Sequence, residues 1–375
     1  MRILIVGAGV MGLSAAEALL GAGHQVAVFE QGGLPNELAS SVDDHRLIRY
    51  PYGRMTGYAR LVAPAYAAWE RLWQRLGRSH YVETGTLAVS QESGGWIDDS
   101  AAGLREIGET FEWLDAAALA ARFPLLRSGP NHRGLYLESG GLLLARSIVQ
   151  SLAARVAFLG GSLNTRRRVI GIDPESATLI LENGKVSGDL AIVTAGPWLA
   201  DLLPDFATRV TPSRQAYAYL RAPEHTQDAW ARHPMLLDIG VESGFYLVPP
   251  VAGTGLKIGS HGFSLSGHPD RDREGRMEDV AESLTMAREA LVGFDDYAVE
   301  RVGTCFYTVE GEERFIAEAR GAAWILTGFS GHGFKFAPLI GEQLAEVIAG
   351  RKAASAFQHW ISGRPEAMQD AAPAG

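Results

Sequence analysis

Cysteine is almost missing from this chain. Cys305, in "GTCFYT", is the single thiol among 375 residues, so no internal disulfide can form and a clustered-thiolate metal site is excluded. Basic charge is scarce as well. A net charge of −9 leaves no basic face for nucleic acid or for a membrane surface, and neither is expected as a partner. The one dense basic run, "TRRR" at 165–168, reads as a solvated strand or turn. No apolar stretch reaches the roughly 18 residues that a membrane span needs. The N-terminus opens directly on a strand and a glycine turn rather than on a signal peptide. A cytoplasmic setting follows, although one thiol also suits an oxidising compartment. Metal chemistry lacks its signatures: there is no HExxH, and His261, His268, Asp270 and Asp272 share what reads as an ordinary polar loop. "GFSG" invites a hydrolase reading with Ser330 as nucleophile, but His332 stands where the GxSxG elbow needs glycine, and that reading fails. No internal repeat and no low-complexity domain is visible.

Apolar residues and glycine, by contrast, are plentiful. Nearly half the residues are hydrophobic and 44 are glycine, enough for a substantial core with many tight backbone passages. The β-branched run "RILIV" (2–6), the turn "GAGVMG", a helical stretch from Met11 to Leu20 and the strand "QVAVFE" form the opening of a parallel βαβ unit. Residues 56–76 read as an aromatic-rich helix, and "GDLAIVTAGPW" (188–198) as a buried strand that ends in a glycine turn. Strand patterns alternate between about 210 and 310 ("RQAYAYLRA", "GFYLVPP", "GLKIGSH"), which predicts an antiparallel sheet distinct from the parallel one. "AAWILTGFSGHG" and "APLIGEQLAEVIAG" then return to strand, glycine loop and helix. The last residues, 366–375, read as a disordered tail.

Gly7, Gly9 and Gly12 stand as GxGxxG between a strand and a helix. The first lets the chain turn sharply, the second lets a pyrophosphate approach the backbone, and the third lets helix and strand pack closely. The helix start then offers free N–H groups and a positive dipole end to phosphates. Glu30 ends the second strand 18 residues after Gly12, where a carboxylate accepts hydrogen bonds from ribose hydroxyls. Ala16, Leu19, Gly23 and Val26 extend the match to a dinucleotide site. NAD and FAD both use this turn. The second glycine loop, "GFSGHGFKF", favours FAD, because a helix start there can stabilise the negative charge that the isoalloxazine ring gains on reduction.

Five stretches, "GAGVMG", "HRLIRYPYG", "GLKIGSH", "CFYTVEGEERFI" and "GFSGHGFKF", resemble the monomeric sarcosine oxidase family within the D-amino-acid-oxidase-like flavoproteins. The resemblance runs over most of the chain. It implies a two-domain α/β flavoprotein: a Rossmann-like FAD-binding domain from 1–80, 143–205 and 312–365, and an α+β substrate domain from 81–142 and 206–311 built on a large mixed or antiparallel sheet. It implies FAD bound covalently through Cys305, with Tyr307 lining the pocket. Val10, Met11, Gly196, Trp198, Gly331, His332, Gly333 and Lys335 join Gly7, Gly9, Gly12 and Glu30 as cofactor residues.

Further roles follow from the same resemblance. Arg46 holds the flavin; Arg49 and Lys335 clamp a substrate carboxylate; Lys257 activates oxygen through a water at the flavin; His261 and Tyr246 wall the pocket. Arg46 and Arg49 are three apart, so on a helix or tight turn they share a face, whereas on a strand Lys257, Gly259 and His261 do. Val42 and His45 depart from the sarcosine-type pattern: one pocket wall becomes apolar and an imidazole stands beside Arg46. That shifts the expected substrate from sarcosine to a bulkier N-methyl amino acid or a cyclic imino acid. The implied reaction is oxidation of a secondary amine alpha to a carboxylate, with imine hydrolysis and reduction of molecular oxygen to hydrogen peroxide, in a monomeric enzyme. A dehydrogenase of the same fold that passes electrons to a quinone or carrier is the alternative, and a NAD(P)-dependent reductase a more distant one.

Overall fold

Strand β1 (Arg2–Val6) is buried from Ile3 onward, without polar alternation. That is the pattern of a strand covered on both faces in a parallel sheet. Gly7 turns the chain at φ +95°, helix α1 (Val10–Gly21) crosses back, and β2 (Gln25–Phe29) pairs parallel with β1, Ile3 opposite Val26 and Val6 opposite Phe29. The computed structural model describes residues 1–239 and 244–364; the segment 366–375, expected as a tail, lies outside them. Six strands form this first sheet, in the order 316–320, 323–327, 190–193, β1, β2, 162–164. Only the edge strand 316–320 runs antiparallel. Helices α1, 145–158 and 337–348 pack on one face, and the tightest of these contacts is between α1 and 337–348. A Cβ on Gly341 would stand 2.7 Å from the backbone oxygen of Ser14, so the two helices meet backbone to backbone.

Eight strands form the second sheet, in the order 298–310, 210–221, 256–260, 244–248, 235–239, 86–90, 133–137, 112–114. The expected antiparallel sheet is present, with one difference: 235–239 pairs parallel with 86–90. The sheet is therefore mixed, because the chain contributes strands to it before and after building much of the first sheet. Alternation along its strands sorts side chains onto two faces. Ala218, Leu220, Leu247, Leu256 and Ile258 pack with Val280, Ala287 and Leu291, against helix 277–290. Tyr217, Tyr219, Cys305 and Tyr307 cluster on the opposite face, where Lys257 and Tyr246 also point.

A third, three-stranded sheet is short. It joins β3 (Arg46–Ile48) antiparallel to 141–143, which also pairs with 81–83. This corrects the expectation for the two arginines. Ile48 is fully buried and β3 is extended, so Arg46 and Arg49 leave the chain in different directions rather than from one helical face. Helix α2 (Thr56–Leu76) follows, within the limits read from sequence. It buries Tyr58, Leu61, Val62, Ala65, Trp69, Leu72 and Trp73 at helical spacing and ends at Gly77, φ +71°. Trp69 Nε1 donates to the carbonyl of Lys335 at 2.7 Å, tying this helix to the second glycine loop.

The helix contact at Gly341 generates a test. Gly341→Ala gains about 1 kcal/mol of helix propensity, but its methyl must displace a backbone at 2.7 Å, and overpacking of this kind costs about 1–3 kcal/mol. A lower denaturation midpoint is expected; an unchanged or higher one would show that the two helices separate freely.

Candidate active site

A cavity of about 380 Å³ lies at the C-terminal ends of β1, β2 and the strand 190–193, touching Val6, Phe29 and Thr194. This is where an open α/β sheet binds its ligand. Gly7, Gly9, Val10, Met11, Glu30, Arg46, Gly196, Trp198, Tyr307, Gly331 and Gly333 all line it. Gly12 lies beneath: a Cβ there would meet the Gly7 carbonyl at 2.0 Å, and one on Gly9 would meet Ser41 Oγ at 3.0 Å. Such a backbone cradle leaves room for a pyrophosphate and not for side chains. Glu30 is buried, and its carboxylate accepts from Ala8 N (2.9 Å), Gly32 N (2.9 Å) and Asn36 Nδ2 (2.8 Å). It is thus fixed before any ribose arrives. The residues fit an extended dinucleotide such as FAD, running from the glycine turn to Tyr307 and the second glycine loop.

Besides Gly12, three expected cofactor residues do not line this cavity. Cys305 lies behind it, two residues from Tyr307 on the same strand, 6% exposed and packed with Tyr217 and Tyr219. Burial raises the pKa of its thiol, while the charges of Arg46, Lys257 and Arg273 pull the other way. His332 and Lys335 turn away from the cavity, because Gly331 has φ +79° and a 3₁₀ turn begins at Phe334. His332 is caged by Tyr52, Tyr58 and Phe315, with Nε2 at 3.1 Å from the Glu313 carbonyl. Burial, with Lys335 nearby, keeps it neutral. Ser330, no nucleophile, donates to the Gly328 carbonyl and accepts from Glu310 N. Arg168, read as part of a solvated run, lines the cavity and stands 3.5 Å from Asp270. Asp270 also accepts from Trp198 Nε1 at 2.6 Å, so the polar loop 268–272 braces the turn that carries Gly196 and Trp198.

Two groups of cations flank the tyrosines. In the first, Arg46 donates to Asp43 Oδ2 (2.7 Å) and to the Ser40 carbonyl (2.7 Å). Lys257 Nζ donates to the same carboxylate at 2.5 Å, and Tyr219 Oη at 2.8 Å. Burial opposes ionisation of Asp43, but Lys257 and Arg46 together overcome it and hold the carboxyl far below the usual range. His45 sits 6.0 Å from the Tyr219 ring. Burial, with Lys257 beside it, pulls it down to about 3, so it is neutral. Asp43 was not among the expected residues. The available signal was a carboxylate three residues before an arginine expected inside, since a buried cation needs a counter-charge.

In the second group, the Arg49 guanidinium lies 5.0 Å from the Tyr52 ring centre and 5.5 Å from that of Trp96, and it donates to the Pro51 carbonyl. Lys335 Nζ donates to Tyr52 Oη at 2.9 Å. Burial, reinforced by Arg49, holds the Lys335 amine well below its ordinary pKa. Burial also raises the pKa of Glu313, against the pull of Arg49. His261 is exposed, 5.9 Å from the Tyr246 ring. Crowding by neighbouring groups and the Arg49 charge lower its pKa. Trp96 was missed because it starts a helix 43 residues beyond Gly53; no local pattern marks it.

Arg49 and the buried Lys335, with no carboxylate at ion-pair distance among the described residues, can together hold a small carboxylate. The chain is similar to known proteins along its whole length. It is 27% identical over 357 residues to N-methyl-L-tryptophan oxidase of Salmonella enteritidis, covering 93% of this chain and 95% of that one. It is 25% identical over 375 residues to monomeric sarcosine oxidase of a Bacillus species, covering 97% and 96%. Among solved structures it superposes on NikD, an unusual amino acid oxidase, with a TM-score of 0.79 at 21% identity over 94% of each chain. The sequence pattern of the FAD dependent oxidoreductase family, DAO, matches residues 2–347. That match removes the NAD(P)-dependent reductase reading, and this chain belongs to the DAO family of FAD-dependent oxidoreductases.

Proposed function

We propose that this protein is an FAD-dependent oxidase of secondary amino acids, N-methyl or cyclic, that reduces molecular oxygen to hydrogen peroxide. The observation that carries the reading is the inequality of the two cation groups. Arg46 and Lys257 share the ionised Asp43. Arg49 and Lys335 have no carboxylate within ion-pair distance among the described residues, so a substrate carboxylate supplies the missing charge. The two curated relatives are named for N-methyl amino acids, which fits a carboxylate beside a secondary amine. FAD, when bound, accepts two electrons from the carbon next to the amine nitrogen, and the resulting imine hydrolyses in water. Arg49 and Lys335 orient the substrate, with Trp96 and Tyr52 holding Arg49 between their rings. Tyr246, Tyr307 and His261 wall the pocket, and Lys257 supplies a positive charge where oxygen is reduced. Cys305 is the tether for the cofactor, and a cytoplasmic, monomeric enzyme is part of the same reading. Slow reoxidation by air would point instead to a dehydrogenase.

The tether is tested by acid precipitation. The yellow colour should stay with the denatured protein, and Cys305→Ser should release FAD to the supernatant. Free flavin from the unmutated, fully loaded protein would reject the covalent bond.

The clamp is tested with a carboxylate that carries no amine, such as acetate, titrated against the flavin spectrum. Arg49→Ala should weaken its binding by about 2–5 kcal/mol. Lys335 adds a pH dependence whose sign is determined. Its pKa is lowered in the free protein, and a bound carboxylate raises it, so binding takes up a proton. Affinity is therefore highest below the free-protein pKa and falls by about tenfold per pH unit above it, until the pKa of the complex is reached. In Lys335→Met the slope should vanish; a slope that survives assigns the proton to another group.

Lys257→Met removes a fixed charge while keeping much of the stem. Stopped-flow traces should show reoxidation by oxygen slowed by about 10²–10³-fold, with anaerobic reduction by substrate changed far less. Equal slowing of both half-reactions would make Lys257 a general structural residue.

A further inference from the structure

The lysine read as the oxygen site is not a free ammonium. Lys257 is 5% exposed and Asp43 4%, and their Nζ–Oδ2 distance is 2.5 Å. The same carboxylate is shared with Arg46 and Tyr219. The other groups that face the ammonium bring no second anion among the described residues. The Tyr217 ring is 4.1 Å from Nζ and the Tyr246 ring 5.7 Å, His45 is neutral, and Cys305 brings no anion, either as a thiol whose pKa burial raises or as the thioether of the proposed tether. Asp44, next in the chain, turns outward to Arg301 at 2.9 Å. Without Asp43, two buried cations would face each other. Burial and like charge both favour the neutral amine in that case, and the lysine is the partner able to lose a proton. For Lys335, as deeply buried beside Arg49 with no carboxylate at ion-pair distance among the described residues, burial and that charge lower the pKa of the amine.

We propose that Asp43 is a positioning residue for oxygen reactivity, holding Lys257 in place and keeping it protonated in a buried site. The inference rests on the reading of Lys257 as the oxygen site. The two buried lysines then differ in one feature of their surroundings, a carboxylate at ion-pair distance for Lys257 and, among the described residues, none for Lys335.

Asp43→Asn keeps the size of the side chain and removes its charge. Photoreduced holoenzyme of the parent, D43N, Asp43→Glu and K257M is mixed with oxygen between about pH 6 and pH 9. D43N should reoxidise within about threefold of the parent at the acid end. It should fall by about 10²-fold, to the level of K257M, at the alkaline end. The parent and the glutamate variant should stay flat. A D43N profile that follows the parent, or a uniform slowing with no recovery in acid, overturns the proposal. Should D43N fail to retain flavin, the ¹³Cε shift of Lys257 in the full-length protein, assigned by its loss in K257M, reads the charge directly. Ammonium in the parent and amine in D43N at about pH 8 support the proposal; the same state in both rejects it. If K257M reoxidises like the parent, the oxygen-site reading falls, and the shift comparison still tests what Asp43 does to Lys257.

Discussion

Asp43 accepts from Lys257, Arg46 and Tyr219 at once, and through them it ties the loop before β3 to the eight-stranded sheet. The charges must be compensated together. Removing one partner of a buried ion pair costs about 3–5 kcal/mol, because the other is left uncompensated. Three donors on one carboxylate therefore hold the loop, β3 and the strands 210–221 and 256–260 in a single arrangement. The position of Arg46 on the cavity wall follows from that arrangement, as does the approach of Lys257 to the tyrosines on the same face.

The second cation group is built differently. Among the described residues, aromatic rings and carbonyls surround Arg49 and Lys335 in place of an ionised carboxylate. Cation–π contacts offset part of the desolvation of a guanidinium but do not neutralise it, so the site stays short of one negative charge. Compensation on one side and its absence on the other divides the labour in the proposed reaction: one cation group acts with the cofactor, the other with the substrate. Neutral His45 and His332 fit this division, since a further protonated group in either cluster would have no counter-charge.

Local patterns carried much of this in the sequence. Short β-branched, apolar runs marked β1 and β2, the helical period marked α2, and GxGxxG at a strand–helix junction marked the cleft. Their signals lie within a few residues of one another, where covalent geometry leaves few choices. The expected sharing of a face by Arg46 and Arg49 failed for a related reason. Spacing of three implies one face only on a helix, and burial of Ile48 in a short sheet made the segment extended. Asp43 was legible only as a carboxylate three residues before Arg46, and Trp96 not at all, since each acquires its meaning from residues far away in the chain: Asp43 from Lys257, 214 residues later, and Trp96 from Gly53, whose added Cβ would meet the indole at 2.6 Å.

The amino-acid sequence by itself determined the dinucleotide turn, the class of fold and the kinds of residue available to the site, because each depends on local backbone preference and side-chain period. Tertiary structure alone decided which cation is paired. Arg46, Arg49, Lys257 and Lys335 are indistinguishable as charges along a string. Burial makes an unpaired charge expensive only once the chain has folded, and folding brings a carboxylate to the first group and aromatic rings to the second.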